Sequence, residues 1–163
     1  MPNENLERMI QLANEYFDMQ NDPEQVQVGE HVIERMMKLH PACVAEKRTR
    51  KGPVAWVLVF PTSHRLMERF IANELTEREL FNRTRAGRTY DAVYLCTALV
   101  LPEYRRKGIA QRLTLDAIKA IRKDHPITSL FYWPFSSAGG KLAEAVAEKL
   151  RLPLYKKEKS TGH

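Results

Sequence analysis

The feature that most constrains this chain is the stretch Tyr90 to Leu113, YDAVYLCTALVLPEYRRKGIAQRL. Its first half, Ala92 to Leu101, is a continuous apolar run with β-branched and aromatic residues, the pattern of a strand buried on both faces. Pro102 ends that strand because it has no N–H to give to a ladder. Arg105, Arg106, Lys107, Gly108, Ile109 and Ala110 follow and open an apolar-periodic helix. The order is strand, basic glycine-containing turn, helix.

That order favours an anion. The first N–H groups of a helix have no internal partner, and the helix dipole adds partial positive charge there. Gly108 and the small Ala110 allow close approach to the backbone, and Arg105, Arg106 and Lys107 add full charges around the rim. Without an anion, these three adjacent cations repel one another and oppose the dipole. A pyrophosphate fits such a turn. Neither common phosphate loop is present: there is no G-x-x-x-x-G-K-[ST], and the turn holds one glycine where G-x-G-x-x-G needs three.

Val100, Pro102, Arg105, Gly108 and Ala110 spell V-x-P-x-x-R-x-x-G-x-A. This resembles the acetyl-CoA-binding motif Q/R-x-x-G-x-G/A of the GNAT superfamily of N-acetyltransferases, and the resemblance is best from Asp91 to Tyr155. It implies an α/β, single-domain GNAT-like fold: a mixed central β-sheet flanked by helices, with splayed strands forming the acetyl-CoA cleft. It implies that backbone groups of Ala98, Leu99 and Val100 pair with the pantetheine arm and polarise the thioester carbonyl. By the same resemblance, backbone N–H groups from Arg106 through Lys107, Gly108, Ile109 and Ala110 to Gln111 hold the pyrophosphate. The implied reaction is transfer of an acetyl group from acetyl-CoA to a primary amine, of a small molecule or of a protein or peptide, by direct attack in a ternary complex. No metal is expected.

The 163 residues suit one domain, read as 1–157 with a flexible tail at 158–163. The formal charge of +6 suits a polyanionic ligand, coenzyme A or nucleic acid. Much of the excess lies in Lys47 to Lys51, Arg83 to Arg88 and Arg105 to Lys107, with Lys156, Lys157 and Lys159 in the tail. No nucleic-acid motif accompanies these runs, so nucleic acid is not the expected partner; a homodimer is compatible with the reading. No apolar run is long enough to span a bilayer. The polar, acidic start MPNENLERM is no signal peptide, so a cytoplasmic protein is expected. Cys43 and Cys96 read as small buried thiols in strands, not a disulfide framework.

In chain order, Leu6, Met9, Ile10, Ala13 and Phe17 give an amphipathic helix. Asp22, Pro23 and Gln25 cap a second helix with the stripe Val32, Ile33, Met36 and Met37. His31 and His40 read as surface or cap histidines. Ala42 to Lys47 and Val54 to Phe60 are expected to form an antiparallel hairpin closed by Pro61, with Trp56 in the core. A helix follows from Thr62 to about Asn73. Thr76 and Glu79 then make a capping box, with Leu75 and Leu80 as its staple, on a short helix to about Asn82. The Thr84 to Thr89 loop, with Gly87, reads as solvated. The helix after the central strand covers Lys107 to Lys123. Thr128 to Trp133 is a strand, and Ser136, Ser137, Gly139 and Gly140 a turn. Leu142, Ala145, Val146 and Leu150 mark a last helix, and Leu152 to Lys156 a final strand.

The catalytic groups are less legible. The family's last helix often carries N-x-x-A-x-x-L-Y-x-x-x-G-F. Here Ala143 matches and Val146 to Leu152 aligns, but Gly140 stands for the asparagine and Ala147 for the tyrosine that serves as general acid. By residue type Tyr132, Tyr94 and Tyr155 are substitutes. Asp91, Glu74 and His64 are candidate proton acceptors, the first two through water. Tyr132, Glu74 and Asp91 form the catalytic set. A non-catalytic acyl-CoA-binding sensor or interaction module remains the alternative at this point.

Overall fold

The computed structural model describes residues 4–20, 30–134 and 137–157. Five strands form one sheet in simple sequence order: β1 Val44–Thr49, β2 Gly52–Thr62, β3 Ala92–Val100, β4 Ser129–Tyr132 and β5 Leu154–Lys156. The helices are α1 Glu4–Gln20, α2 Glu30–Leu39, α3 His64–Ile71, α4 Glu77–Arg83, α5 Ile109–Asp124 and α6 Ser137–Leu150. Strands β1, β2 and β3 are antiparallel neighbours, whereas β3, β4 and β5 run parallel. Parallel neighbours need long crossovers, and α5 and α6 supply them. The mixed, helix-flanked sheet is the α/β fold the sequence implies.

The sheet forks. β4 pairs with β3 only from Ala92↔Ser129 to Leu95↔Tyr132. β3 continues to Val100, paired on the β2 side alone. Leu58 faces Thr97 while Val59 faces Leu95, so Cys96 is an extra residue in β3. Such a bulge bends its strand and ends regular pairing. It falls at the first residue past the β3–β4 pairing, and the two strands part there.

The core has two parts. Phe60, Phe70, Tyr94 and Phe131 pack ring to ring, with neighbouring centroids 5.0–5.8 Å apart. Such tilted and edge contacts suit the ring quadrupoles. Met9 of α1 packs with Val54, Leu99 and Leu101 in a smaller cluster, against which Leu12, Trp56 and Tyr104 lean. Thr76 and Glu79 form the expected capping box, and Leu75 and Leu80 are both buried.

Several expectations change. In α1 the inward residue beside Met9 is Leu12, while Ile10 is 46% exposed. The Phe17 side chain, the Asp22–Gln25 cap and Ser136 lie outside what is described. In α2 the stripe runs Val32, Ile33, Met36 to Leu39, and Met37, one step off it, is 49% exposed. Pro41–Cys43 is a 3-10 turn capped by His40, whose Nδ1 accepts from the Ala42 N–H, so β1 starts later and Cys43 is not in a strand. Pro61 does not close β2: it pairs with Val93. Pairing with β1 stops at Leu58, and a proline on an open strand side forfeits no ladder bond. Trp56 is half-buried, its indole N–H donating to Glu46 at 2.6 Å. Ser137, Gly139 and Gly140 belong to α6 rather than a turn. A Cβ at Gly140 would lie 3.6 Å from the Tyr132 hydroxyl, so the helix approaches β4 closely there.

Candidate active site

Beyond Val100 the chain makes a 3-10 turn, Pro102–Tyr104, and then a loop in which Arg106 and Gly108 both take left-handed backbone angles, φ 62° and 76°. Gly108 is the N-cap of α5 and no side chain caps that helix. The first helical bond is Arg112 N–H to the Gly108 carbonyl, 2.9 Å, so the amides of Ile109, Ala110 and Gln111 precede the ladder. The three cations therefore lie in the loop before α5 rather than in its first turn.

A cavity of about 370 Å³ opens at this helix start. Lys107, Gly108, Ile109 and Gln111 line it together with Lys47 of β1, Arg112 of α5 and Lys149 of α6. Four cations around an uncapped helix start fit a pyrophosphate. Lys47, Arg112 and Lys149 escape a reading along the sequence because three separate elements deliver them. Arg105 behaves differently: its Nε donates to the Val100 carbonyl at 2.9 Å, pinning the loop back on β3. The turn is further anchored by Arg8 of α1, which donates to both Glu103 carboxylate oxygens at 2.6 and 2.7 Å. That hydrogen-bonded pair lowers the Glu103 pKa to about 2.

Past Leu95, no strand among the described residues pairs with β3 on its β4 side. Amides of Ala98, Leu99 and Val100 thus border an open slot, the arrangement that accepts another extended chain of amides.

The fork gathers acid–base groups. Glu77, in the first turn of α4, is 3% exposed and accepts a hydrogen bond from the Tyr94 hydroxyl. Burial first, then the Glu77 charge, push the Cys96 thiol pKa well up. Tyr132, the last residue of β4, is buried at the fork. Burial and the nearby Glu144 charge raise its phenol pKa, so it keeps its proton. Lys157, just beyond β5, is 7% exposed and its N–H donates to the Tyr132 carbonyl at 3.0 Å.

Of the catalytic candidates from the sequence, the fold brings Tyr132 to the fork and Asp91 elsewhere. Asp91 precedes β3 at the closed end of the sheet, about 17 Å of extended strand from Cys96. Its carboxylate accepts from the His64 N–H at 2.6 Å and so caps the start of α3. His64 shares that end and lies 3.2 Å from Glu68. Glu74 is on the exposed α3–α4 turn, 3.6 Å from Arg69. Tyr155, in β5, is 42% exposed. Tyr94 is at the fork, but its hydroxyl serves Glu77. Glu77 was not singled out from the sequence: in Thr76-Glu77-Arg78-Glu79 it looks like an ordinary first-turn acid. Only its position directly after the N-cap hints at an inward direction.

A forked sheet whose slot ends at an uncapped, basic helix start defines an α/β protein suited to an acyl carrier with a pyrophosphate. The family described as the acetyltransferase (GNAT) family matches residues 6–150. The chain belongs to that family and is an acyltransferase, so a purely non-catalytic module is set aside. Acetyl-CoA is the acetyl donor of this family. Among solved structures, the chain is similar to an aminoglycoside antibiotic 6'-N-acetyltransferase from Acinetobacter haemolyticus, with 16% identity and a TM-score of 0.42, over 97% of this chain and 91% of that one. A comparison with curated proteins finds no match. Among the described residues no helix is long and apolar enough to cross a membrane, and no group of three or more His, Cys, Asp or Glu could hold a metal ion.

Proposed function

We propose that the chain is an N-acetyltransferase in which a primary amine attacks the thioester of acetyl-CoA directly at the β3–β4 fork. The observation that carries this reading is that the bulge at Cys96 coincides with the end of β4 pairing, two residues past Tyr94, whose hydroxyl bonds the buried Glu77. Acetyl-CoA supplies an activated acyl group on a thiolate leaving group.

The chain's own residues have five tasks. The backbone from Arg106 to Gln111 binds the pyrophosphate, with Lys107, Lys47, Arg112 and Lys149 lowering the electrostatic cost. Arg105 holds the loop against β3. Ala98, Leu99 and Val100 offer backbone hydrogen bonds to the pantetheine arm, and donors there also favour the developing oxyanion. At the fork, Glu77 accepts the amine proton, directly or through one water, with Tyr94 holding the carboxylate in place. Tyr132 stands in for the tyrosine that Ala147 replaces: its raised pKa leaves a proton to give to the departing thiolate. In this reading Asp91 and Glu74 take neither role.

Release of free CoA thiol in an amine screen tests the reaction. Glu77→Gln is then expected to lower kcat by about 10²–10⁴, the usual range for a positioned acid or base, while acetyl-CoA still raises the melting temperature. A variant with wild-type kcat would remove Glu77 from the mechanism. No thiol release with any amine class, in a protein that binds acetyl-CoA, would overturn the catalytic reading.

A further inference from the structure

The C-terminal end of the described chain turns a lysine from the end of β5 toward α3 and the α3–α4 turn. The Lys157 backbone is tied to Tyr132, the last β4 residue that pairs with β3. From there its Nζ reaches the α3–α4 turn and donates to the Leu75 carbonyl at 3.2 Å. It lies 4.4 Å from the centroid of the Phe70 ring and 5.2 Å from that of Trp133. Phe70 packs on Tyr94 of β3 at 5.2 Å, and the Tyr94 hydroxyl bonds Glu77. Leu75 is two residues before Glu77. The amine is thus held by α3, the α3–α4 turn and Trp133, the residue that follows β4, and Phe70 links this cluster to Tyr94 of β3 near the point where the strands part. Two rings and a carbonyl form a cage suited to an alkylammonium group, and the chain's own lysine fills it.

We propose that Lys157 is an internal acetyl acceptor, modified on Nζ by the acetyl group delivered to the fork. The inference rests on the reading of the fork as the reaction centre. One ammonium proton passes to Glu77 and on to solvent, leaving a lone pair on Nζ. The N–C bond to the acetyl carbonyl forms and the C–S bond breaks. The second proton leaves the nitrogen and the CoA thiolate departs as the thiol. The product is an amide that has lost the ammonium charge, in the cage where an external amine would otherwise stand.

The test incubates the full chain with acetyl-CoA and no added amine, follows intact mass, maps the modified peptide and records melting curves in parallel. One acetyl group on Lys157, at a first-order rate unchanged on dilution of the protein, is expected. Lys157→Arg and Lys157→Met should lose the modification yet still be stabilised by acetyl-CoA. Stabilisation of the wild type with Lys157 unmodified would overturn self-acetylation and leave the proposed function standing. A rate that rises with protein concentration, or acetyl groups spread over exposed lysines, would overturn it too. No stabilisation of the wild type would remove the reading of the cofactor slot, and this inference with it.

Discussion

Gly108 and Gly87 offer a matched pair of perturbations. Both have φ +76°, and a Cβ built on either meets nothing within 4 Å. Alanine at each therefore carries the same penalty, the left-handed backbone cost of about 1–2 kcal/mol. With about 2–4 °C of melting temperature per kcal/mol at this chain length, both variants should melt a few degrees below wild type by similar amounts. They should part on ligand binding. Gly108 starts α5 beneath the cationic cavity, and a methyl group there intrudes where a pyrophosphate must approach the amides. Gly87 lies in the loop before β3, at the closed end of the sheet. At about 100 times Kd, acetyl-CoA should add about 2.7 kcal/mol to the wild type and to Gly87→Ala. A tenfold weaker Kd in Gly108→Ala would cut that to about 1.4 kcal/mol at the same concentration. The assay is a melting series against acetyl-CoA, backed by calorimetric titration. Equal ligand shifts in the two variants would refute the assignment of the cofactor to this turn. Unequal ligand-free penalties would refute the purely conformational account of the glycines.

Other expectations follow from particular contacts. The folded Glu103 pKa is depressed from 4.5 to about 2 by Arg8. Its contribution is therefore full above pH 4.5 and is lost as pH falls toward 2, so melting curves of wild type and Glu103→Gln should differ at neutral pH and converge in acid. A gap that persists at the acid end would mean that the pair does not act through charge. Thr76→Ala breaks the capping box and should cost about 1 kcal/mol, read from urea unfolding; no change would mean α4 is held by packing alone. Burial lifts Cys43 to about 12 and Cys96 well above the ordinary thiol value. Cys43 should not react with iodoacetamide at pH 8 in the native state, and its rapid labelling would contradict its place in the core.

The features legible along the chain are local and periodic. The strand–turn–helix unit, the basic glycine-containing turn, the Thr76–Glu79 box and the alternation of strands and helices after Asp91 all follow from turn chemistry and apolar spacing. These features need no distant partner. The family resemblance, carried by a few residues around Gly108, was legible for the same reason.

The proposed acid–base site depends on tertiary structure. Whether Glu77 or Glu74 points inward depends on which face of the α3–α4 segment meets Tyr94, seventeen positions away from Glu77 in the chain. Asp91 opens the central strand, but strand direction puts it at the end where β3 and β4 remain paired. The bulge at Cys96 exists only in the register between β2 and β3. Lys47, Arg112 and Lys149 share one cavity only because β1, α5 and α6 converge there. Backbone preferences are set within a few residues, whereas the direction of a charged side chain is set by the burial its distant neighbours impose.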